Sequence, residues 1–221
     1  MKKNILFFVL VCILAGCEEH KPISGAVFSK SFIQVYVTTV DSFGVQGYND
    51  DAIRMWIKGE NIDNVHDALD EAFKSISKQF GDTCYNRDVV PFINKAIIEE
   101  FFINIACNKD FNDYPAGASL NEVVEFIGSS AYEYVKSGYV NESNWTEELI
   151  NEYGKYTGIK RYGYHLVVKK LSELTVPDTK LLDPTWMYLN FLEKPSSGEY
   201  VFTVTVKTED KVLQEDITVI F

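Results

Sequence analysis

Adjacent carboxylates are the most frequent chemistry-bearing pattern in this chain: Asp50 and Asp51, Glu99 and Glu100, and Glu147 and Glu148 stand side by side. Two facing carboxyl groups about 5 to 9 Å apart, with their pKa values split, would hydrolyse a glycosidic bond. Sequence neighbours do not face one another, because on a strand they point to opposite faces and on a helix they diverge by about 100°. The pairs therefore read as solvated faces and helix starts. Asp110, Asn112 and Asp113 offer oxygen ligands of the kind calcium takes, but Tyr114 stands where a further ligand belongs and Gly117 comes too late for a calcium loop. An Asp/Asn-rich turn is the better reading, and no metal is expected. His66 and His165 have no ligand or triad spacing, and His20 lies near the amino terminus. There is no G-x-S-x-G, Walker or dinucleotide-binding motif, so no catalytic residue is assigned and no cofactor is expected.

Binding chemistry is better represented. Aromatic residues make up 14% of the chain, and Tyr153, Tyr156, Tyr162 and Tyr164 crowd a stretch punctuated by Gly154, Gly158 and Gly163. Tyrosine combines a flat apolar body with a polar tip, so exposed rings on a loop would stack on sugars or form a protein-binding patch. The competing reading is core filling. These four tyrosines are the candidate ligand-binding residues. The 32 acidic residues against 21 basic ones give a formal charge of −11. A chain of that sign repels a phosphate backbone, and nucleic acid is excluded as a partner.

The elements that must position these groups are mostly strands. Of the 221 residues, 46% are hydrophobic and 24% charged, enough apolar material for one domain with a real core. Residues 32–40 (FIQVYVTTV) predict a first strand, closed by a turn at Asp41, Ser42, Phe43 and Gly44. Residues 53–58 (IRMWIK) alternate, with Ile53, Met55 and Ile57 on one face and Arg54, Trp56 and Lys58 on the other. One face buries and the other meets solvent. Val65, Ala68, Leu69, Ala72, Phe73, Ile76 and Phe80 recur at helical spacing, with Asn64 as cap and Gly81 as stop, and predict a helix over 64–80.

Residues 97–107 (IIEEFFINIAC) fit either period, and the second half is read as a strand. A Ser119-x-x-Glu122 capping box predicts a helix over 119–136, and Asn144 with Glu147 another over 144–155. The C-terminus is all strand. Met187, Leu189 and Phe191 alternate with Trp186, Tyr188 and Asn190, and two further period-2 runs flank an acidic turn at Glu209 and Asp210 as a hairpin.

Lys2, Lys3 and the ten apolar residues 5–14 (ILFFVLVCIL) fit a secretory leader and are too short to span a bilayer, which takes roughly 20 residues. The run ends in Leu14-Ala15-Gly16-Cys17, which resembles the bacterial lipobox. The resemblance implies cleavage after residue 16 and acyl chains on Cys17. Each buried methylene contributes about 0.8 kcal/mol, so two or three chains hold a domain at the membrane. Residues 17–25 then form a polar tether. Glu18 in place of an aspartate favours the outer membrane, and the acidic pair Glu18-Glu19 resembles the surface-export signal of Bacteroidetes lipoproteins. Cys12 leaves with the leader, so Cys84 and Cys107 form either one disulfide or two buried thiols.

Residues 198–206 (GEYVFTVTV) look like the penultimate strand of bacterial immunoglobulin-like domains. With the lipobox, the DFNDYPAG stretch over 110–117 and the SLNE stretch over 119–122, the whole chain resembles uncharacterised Bacteroidetes lipoproteins of unknown function. The resemblance transfers no catalytic residue. The expectation is an α+β, mainly β protein: a leader over 1–16, Cys17 and its tether over 17–25, and a single immunoglobulin-like antiparallel β-sandwich with helical insertions over 26–221. Its expected role is a noncatalytic binding or accessory module for a glycan or an envelope protein, held at the membrane through Cys17. A carboxylate-dependent glycan hydrolase and a structural envelope component are the alternatives.

Overall fold

The computed structural model describes residues 32–49, 51–63, 71–82, 93–138, 144–157 and 163–221. The leader, Cys17, the tether, His66, Cys84 and Tyr162 lie outside the described residues. In chain order the elements are β1 (Ile33–Val37), β2 (Ser42–Tyr48), β3 (Ala52–Lys58), β4 (Asn61–Asp63), α1 (Glu71–Gln79), β5 (Ile93–Ile97), β6 (Phe102–Cys107), β7 (Val124–Ser130), α2 (Tyr132–Lys136), α3 (Glu147–Thr157), β8 (His165–Lys170), α4 (Val176–Thr179), β9 (Met187–Phe191), β10 (Glu199–Lys207) and β11 (Val212–Ile220). Among the described residues no helix is long and apolar enough to cross a membrane.

The strands form a five-stranded antiparallel sheet in the order β2-β3-β9-β7-β8, a three-stranded antiparallel sheet β11-β10-β6, and a small sheet β4-β1-β5. In the small sheet β1 runs parallel to β5. The protein is α+β and mainly β, as the period-2 runs imply.

Alternation explains where the core sits. It buries Ile53, Met55 and Ile57 on β3, Met187, Leu189 and Phe191 on β9, and Tyr200, Phe202, Val204 and Val206 on β10. These faces of the five-stranded and the β6-β10-β11 sheets share one hydrophobic cluster. Phe111, fully buried, joins it to the chain end: its ring centroid lies 5.7 to 6.2 Å from those of Phe191, Tyr200, Phe202 and Phe221. A second cluster gathers β1, β5, α1 and α2 around Tyr36, Phe73 and Tyr134. Buried Asp82 holds the entry to β1, accepting the amides of Phe32 and Ile33 and the hydroxyl of Tyr36.

The two clusters meet at residues 181–182. Leu182 bridges both Ile97 and Ser130, stitching the small sheet to the end of β7. Leu181 takes φ +51, so that it enters the second cluster while Leu182 enters the first. A left-handed backbone at a branched side chain costs about 1–2 kcal/mol, which the burial of two leucines on opposite sides offsets.

Several expectations need correction. The helix over 119–136 is not formed: Ser119 pairs with Ala106, Val124–Ser130 is a strand between β9 and β8, and only Tyr132–Lys136 is helical. The apolar residues that fit a helical stripe instead fill both faces of a strand covered on two sides, with Val124 and Phe126 in the first cluster and Ile127 under α3. Such a strand has no polar alternation to betray it. Gly128, a weak point for a helix, is needed in the strand, since a Cβ there would stand 2.7 Å from the Phe126 ring.

The turn placed at residues 41–44 falls earlier, because Phe43 is buried and opens the inward alternation of β2. The helix over 64–80 is Glu71–Gln79 within the described residues, and that over 144–155 is Glu147–Thr157. Its cap is Thr146, whose hydroxyl accepts the Leu149 amide at 3.2 Å. Asn144 instead pairs both ways with the backbone of Leu166, at 2.7 and 3.0 Å. The second half of residues 97–107 is strand, as read, and so are the three C-terminal runs.

Phe111→Ala removes the ring common to four aromatic contacts and should destabilise the fold by about 3–5 kcal/mol in chemical denaturation. Phe102→Ala, at a side chain 56% exposed, should stay within about 0.5 kcal/mol of the parent.

Candidate functional site

The inner face of the five-stranded sheet is buried, so any site on it must use the outer face. Part of that face is covered by α3, which carries Glu147 and Glu148 in its first turn and Lys155 in its last, signs that suit the helix dipole. With Trp145 and Tyr156 it closes a third cluster over Ala52, Ile127, Leu166 and Tyr188.

Beyond α3 the face is open. Strand pairing sets Gly44 opposite Trp56, Gln46 opposite Arg54, and Arg54 opposite Tyr188. The alternation that buries Ile53, Met55 and Ile57 sends Arg54 and Trp56 outward and leaves Lys58 exposed at the strand end. Trp186, just before β9, stands beside them. Gly44 lets the Trp56 indole lie flat across β2, because a Cβ at that position would be 2.4 Å from Trp56 Cζ2.

The Arg54 guanidinium carbon lies 4.2 Å from the Trp186 ring centroid and 5.9 Å from that of Trp56. Contacts of this kind contribute about 0.5–2 kcal/mol and hold the fork in one plane. Nη2 donates to the Thr185 carbonyl at 3.4 Å, and Nε is shielded from solvent without a hydrogen-bond partner among the described residues. Arg54 and Trp56, with Gln46, Ile57, Pro184 and Thr185, line a shallow depression of about 320 Å³, while Trp186 is half-buried against the third cluster and supports the guanidinium from beside it. An indole and a fixed guanidinium can stack on a flat ring and donate hydrogen bonds to its acceptors. They supply no general acid or base.

Of the tyrosine patch expected at Tyr153, Tyr156, Tyr162 and Tyr164, the three described members do not form an exposed surface. Tyr164 is 1% exposed, lies in the second cluster and donates to the Lys95 carbonyl at 2.7 Å. Tyr156 is 5% exposed, packs on Tyr48 and Tyr188, and donates to Asn190 Oδ1 at 3.2 Å. Tyr153 is half-buried against the same cluster, and Tyr162 lies outside the described residues. The physical reason is helical spacing: Tyr153 and Tyr156 share the face that α3 lays on the sheet, while Gly163 at φ +78 leads Tyr164 into the other core.

Beneath α3, Asn190 donates to Glu125 Oε2 at 3.4 Å. Burial pushes the Glu125 carboxyl above the usual range, the Asn190 bond works against it, and the charge of Glu152 adds to it. The Tyr153 phenol is pushed up to about 12, first by burial and then by its hydrogen bond to Glu152 and the charges of Glu125 and Glu152.

The adjacent acids serve structural contacts. Glu99 accepts the Val40 amide, Glu100 lies 3.6 Å from Lys180, and Asp51 pairs with Lys194, whereas Glu147 and Glu148 are exposed on α3 and Asp50 is outside the described residues. Asp110 accepts the Ala116 amide at 2.9 Å, and Asn112 at φ +51 lies in a tight turn closed by Phe111 and Tyr114, so this stretch is a turn. Among the described residues no three His, Cys, Asp or Glu side chains gather as a metal-binding group. His165 is buried at the start of β8. Cys107 is a free buried thiol pointing at Asn108 Oδ1, 3.7 Å away, and Cys84, its candidate bridging partner, is outside the described residues.

The period of two in residues 53–58 marks Arg54 and Trp56 as solvent-facing but does not mark them as a site. The available signal was the large aromatic at an outward position of one strand and a second, Trp186, entering another. No family model, curated protein or solved structure matches the chain. Its site is read from geometry alone.

The Glu125 carboxyl, raised in the fold, contributes stability that is fully present below its unfolded value and is lost as pH rises through the folded one. Glu125→Gln keeps the acceptor for Asn190 and removes the charge. It should raise the melting temperature at pH 7.5, and the gain should vanish near about pH 4, where both proteins are neutral at this position; a parent more stable than the variant at pH 7.5 would contradict the assignment.

Proposed function

We propose that this chain is a lipid-anchored lipoprotein of the outer membrane or cell surface whose body is a noncatalytic binding module. The observation that carries the binding role is the open shelf of Arg54 and Trp56 on the outer face of the five-stranded sheet, with half-buried Trp186 backing the guanidinium. Of the two partner classes, a glycan fits better than a protein. The shelf is shallow and open, offering the Trp56 plane and a hydrogen-bonding fork, and lacks the buried pocket in which protein interfaces seat their anchor residues.

The anchor rests on Lys2, Lys3, the short apolar run and the Leu14-Ala15-Gly16-Cys17 sequence. An immunoglobulin-like sandwich of the Bacteroidetes lipoprotein type is the architecture we infer for the body. It is supported by two antiparallel sheets sharing one core and by the β10–β11 hairpin, while the parallel β1–β5 pair and the helices are additions to a minimal sandwich.

Two experiments test the halves separately. Cys17→Ser, expressed in a Gram-negative host, should move the protein from membranes to the soluble fraction or leave the leader uncut, as read by fractionation and intact mass; unchanged fractionation and mobility would remove the anchor. Trp186→Ala should weaken binding to a polysaccharide array at least tenfold while circular dichroism stays that of the parent. Undiminished binding would move the site off the shelf.

A further inference from the structure

We propose that the shelf recognises an acidic sugar, its ring lying on an indole and its carboxylate on the Arg54 guanidinium; this rests on the glycan-binding reading and names the class of glycan. The first reason is the charge on the shelf. Among the described residues no carboxylate pairs with Arg54 or with Lys58, although the chain carries 32 acidic residues and Lys169, Lys180, Lys194 and Lys211 each pair with one. Arg54 and Lys58 occupy the same outward register with Trp56 between them, about 13 Å apart along an extended strand. An anionic protein thus presents two cations around an aromatic plane, and the depression beside it is lined by Gln46, Pro184 and Thr185 without an acid.

The second reason is the state of the guanidinium. It lies 4.2 Å from the Trp186 ring centroid and 5.9 Å from that of Trp56, and among the described residues Nη2 makes the one hydrogen bond of its nitrogens, a long one at 3.4 Å to the Thr185 carbonyl. A planar fork fixed in orientation and left with unused donors matches the two oxygens of a carboxylate, with little entropy lost on binding. The third reason is shape. An open depression of about 320 Å³ does not enclose a small molecule, but it accepts one ring of a chain that passes across the sheet face. The overall charge selects among polyanions as well. A nucleic acid carries one charge per about 1.7 Å and would meet repulsion along its whole contact, whereas a polysaccharide spaces its carboxylates a sugar apart.

The test uses the mature chain on immobilised polygalacturonate, alginate and hyaluronan, beside the same three polymers with their carboxylates reduced to alcohols, a set of neutral glucans and an acidic peptide library. The expected result is binding to at least one acidic polymer that falls at least tenfold on carboxyl reduction. Arg54→Gln should cause a comparable loss on the acidic form and no further loss on the reduced form, and Arg54→Lys, which keeps charge without the fork, should fall between. Circular dichroism and melting temperature check that each variant folds, and Lys58→Gln, an exposed change, serves as the second variant with a smaller loss expected. Equal binding to acidic and reduced polymers, or to neutral glucans, would overturn the acidic specificity and leave the glycan-binding reading standing. Binding to no polysaccharide, or to acidic peptides in preference to all of them, would overturn both.

Discussion

The alternation of side chains across β3 and β9 is the constraint on which this molecule turns. Each strand presents one apolar row, Ile53, Met55 and Ile57 or Met187, Leu189 and Phe191, and those rows have a place only against the β6-β10-β11 sheet. Once they are buried, Arg54, Trp56 and the approach to Trp186 have no choice of side. A slip of one residue in either pairing would carry the indoles into the core and the isoleucines into water, so the register that stabilises the protein also builds its shelf. The site sits on strands whose backbones are fixed on both sides, which holds the guanidinium and the indoles more tightly than loops would.

On the edge strands β6 and β8, and at the end of β6 beside β10, asparagine side chains imitate a further strand. Asn121 accepts the Ile105 amide and donates to the Ile103 carbonyl, Asn144 does the same for Leu166, and Asn108 accepts the Val201 amide. A carboxamide carries a donor and an acceptor in the spacing of a peptide group, so one asparagine can satisfy both backbone groups of an edge position. On β11, Glu215 stands in the core-facing register opposite buried Val204 and remains exposed.

The helices act as covers. α3 closes one half of the outer face with Tyr153 and Tyr156, and α1 and α2 close the second core. This accounts for the acidic cluster as well: Glu125 is held under α3 near Glu152, where burial and like charge disfavour ionisation, so the helix sits on its sheet against an electrostatic cost that the aromatic packing of Tyr156 on Tyr48 and Tyr188 offsets.

The strands at the C-terminus, the outward position of Arg54 and Trp56, and the helical stripe ending near Phe80 are determined by local periodicity, because a pattern of two or of three to four needs only the chain itself to be read. The region over 119–136 is different. Val124, Phe126 and Ile127 are apolar on both sides, and only the presence of a core below and α3 above decides that they extend as a strand. The tyrosines over 153–164 follow the same logic, since a flat polar-tipped ring suits a surface or a core equally until the partners on β7, β9 and β5 are in place. Trp186 and Arg54 lie 132 residues apart and meet because β3 pairs with β9. Long-range pairing brought them within stacking distance, and no local rule of sequence contains that information.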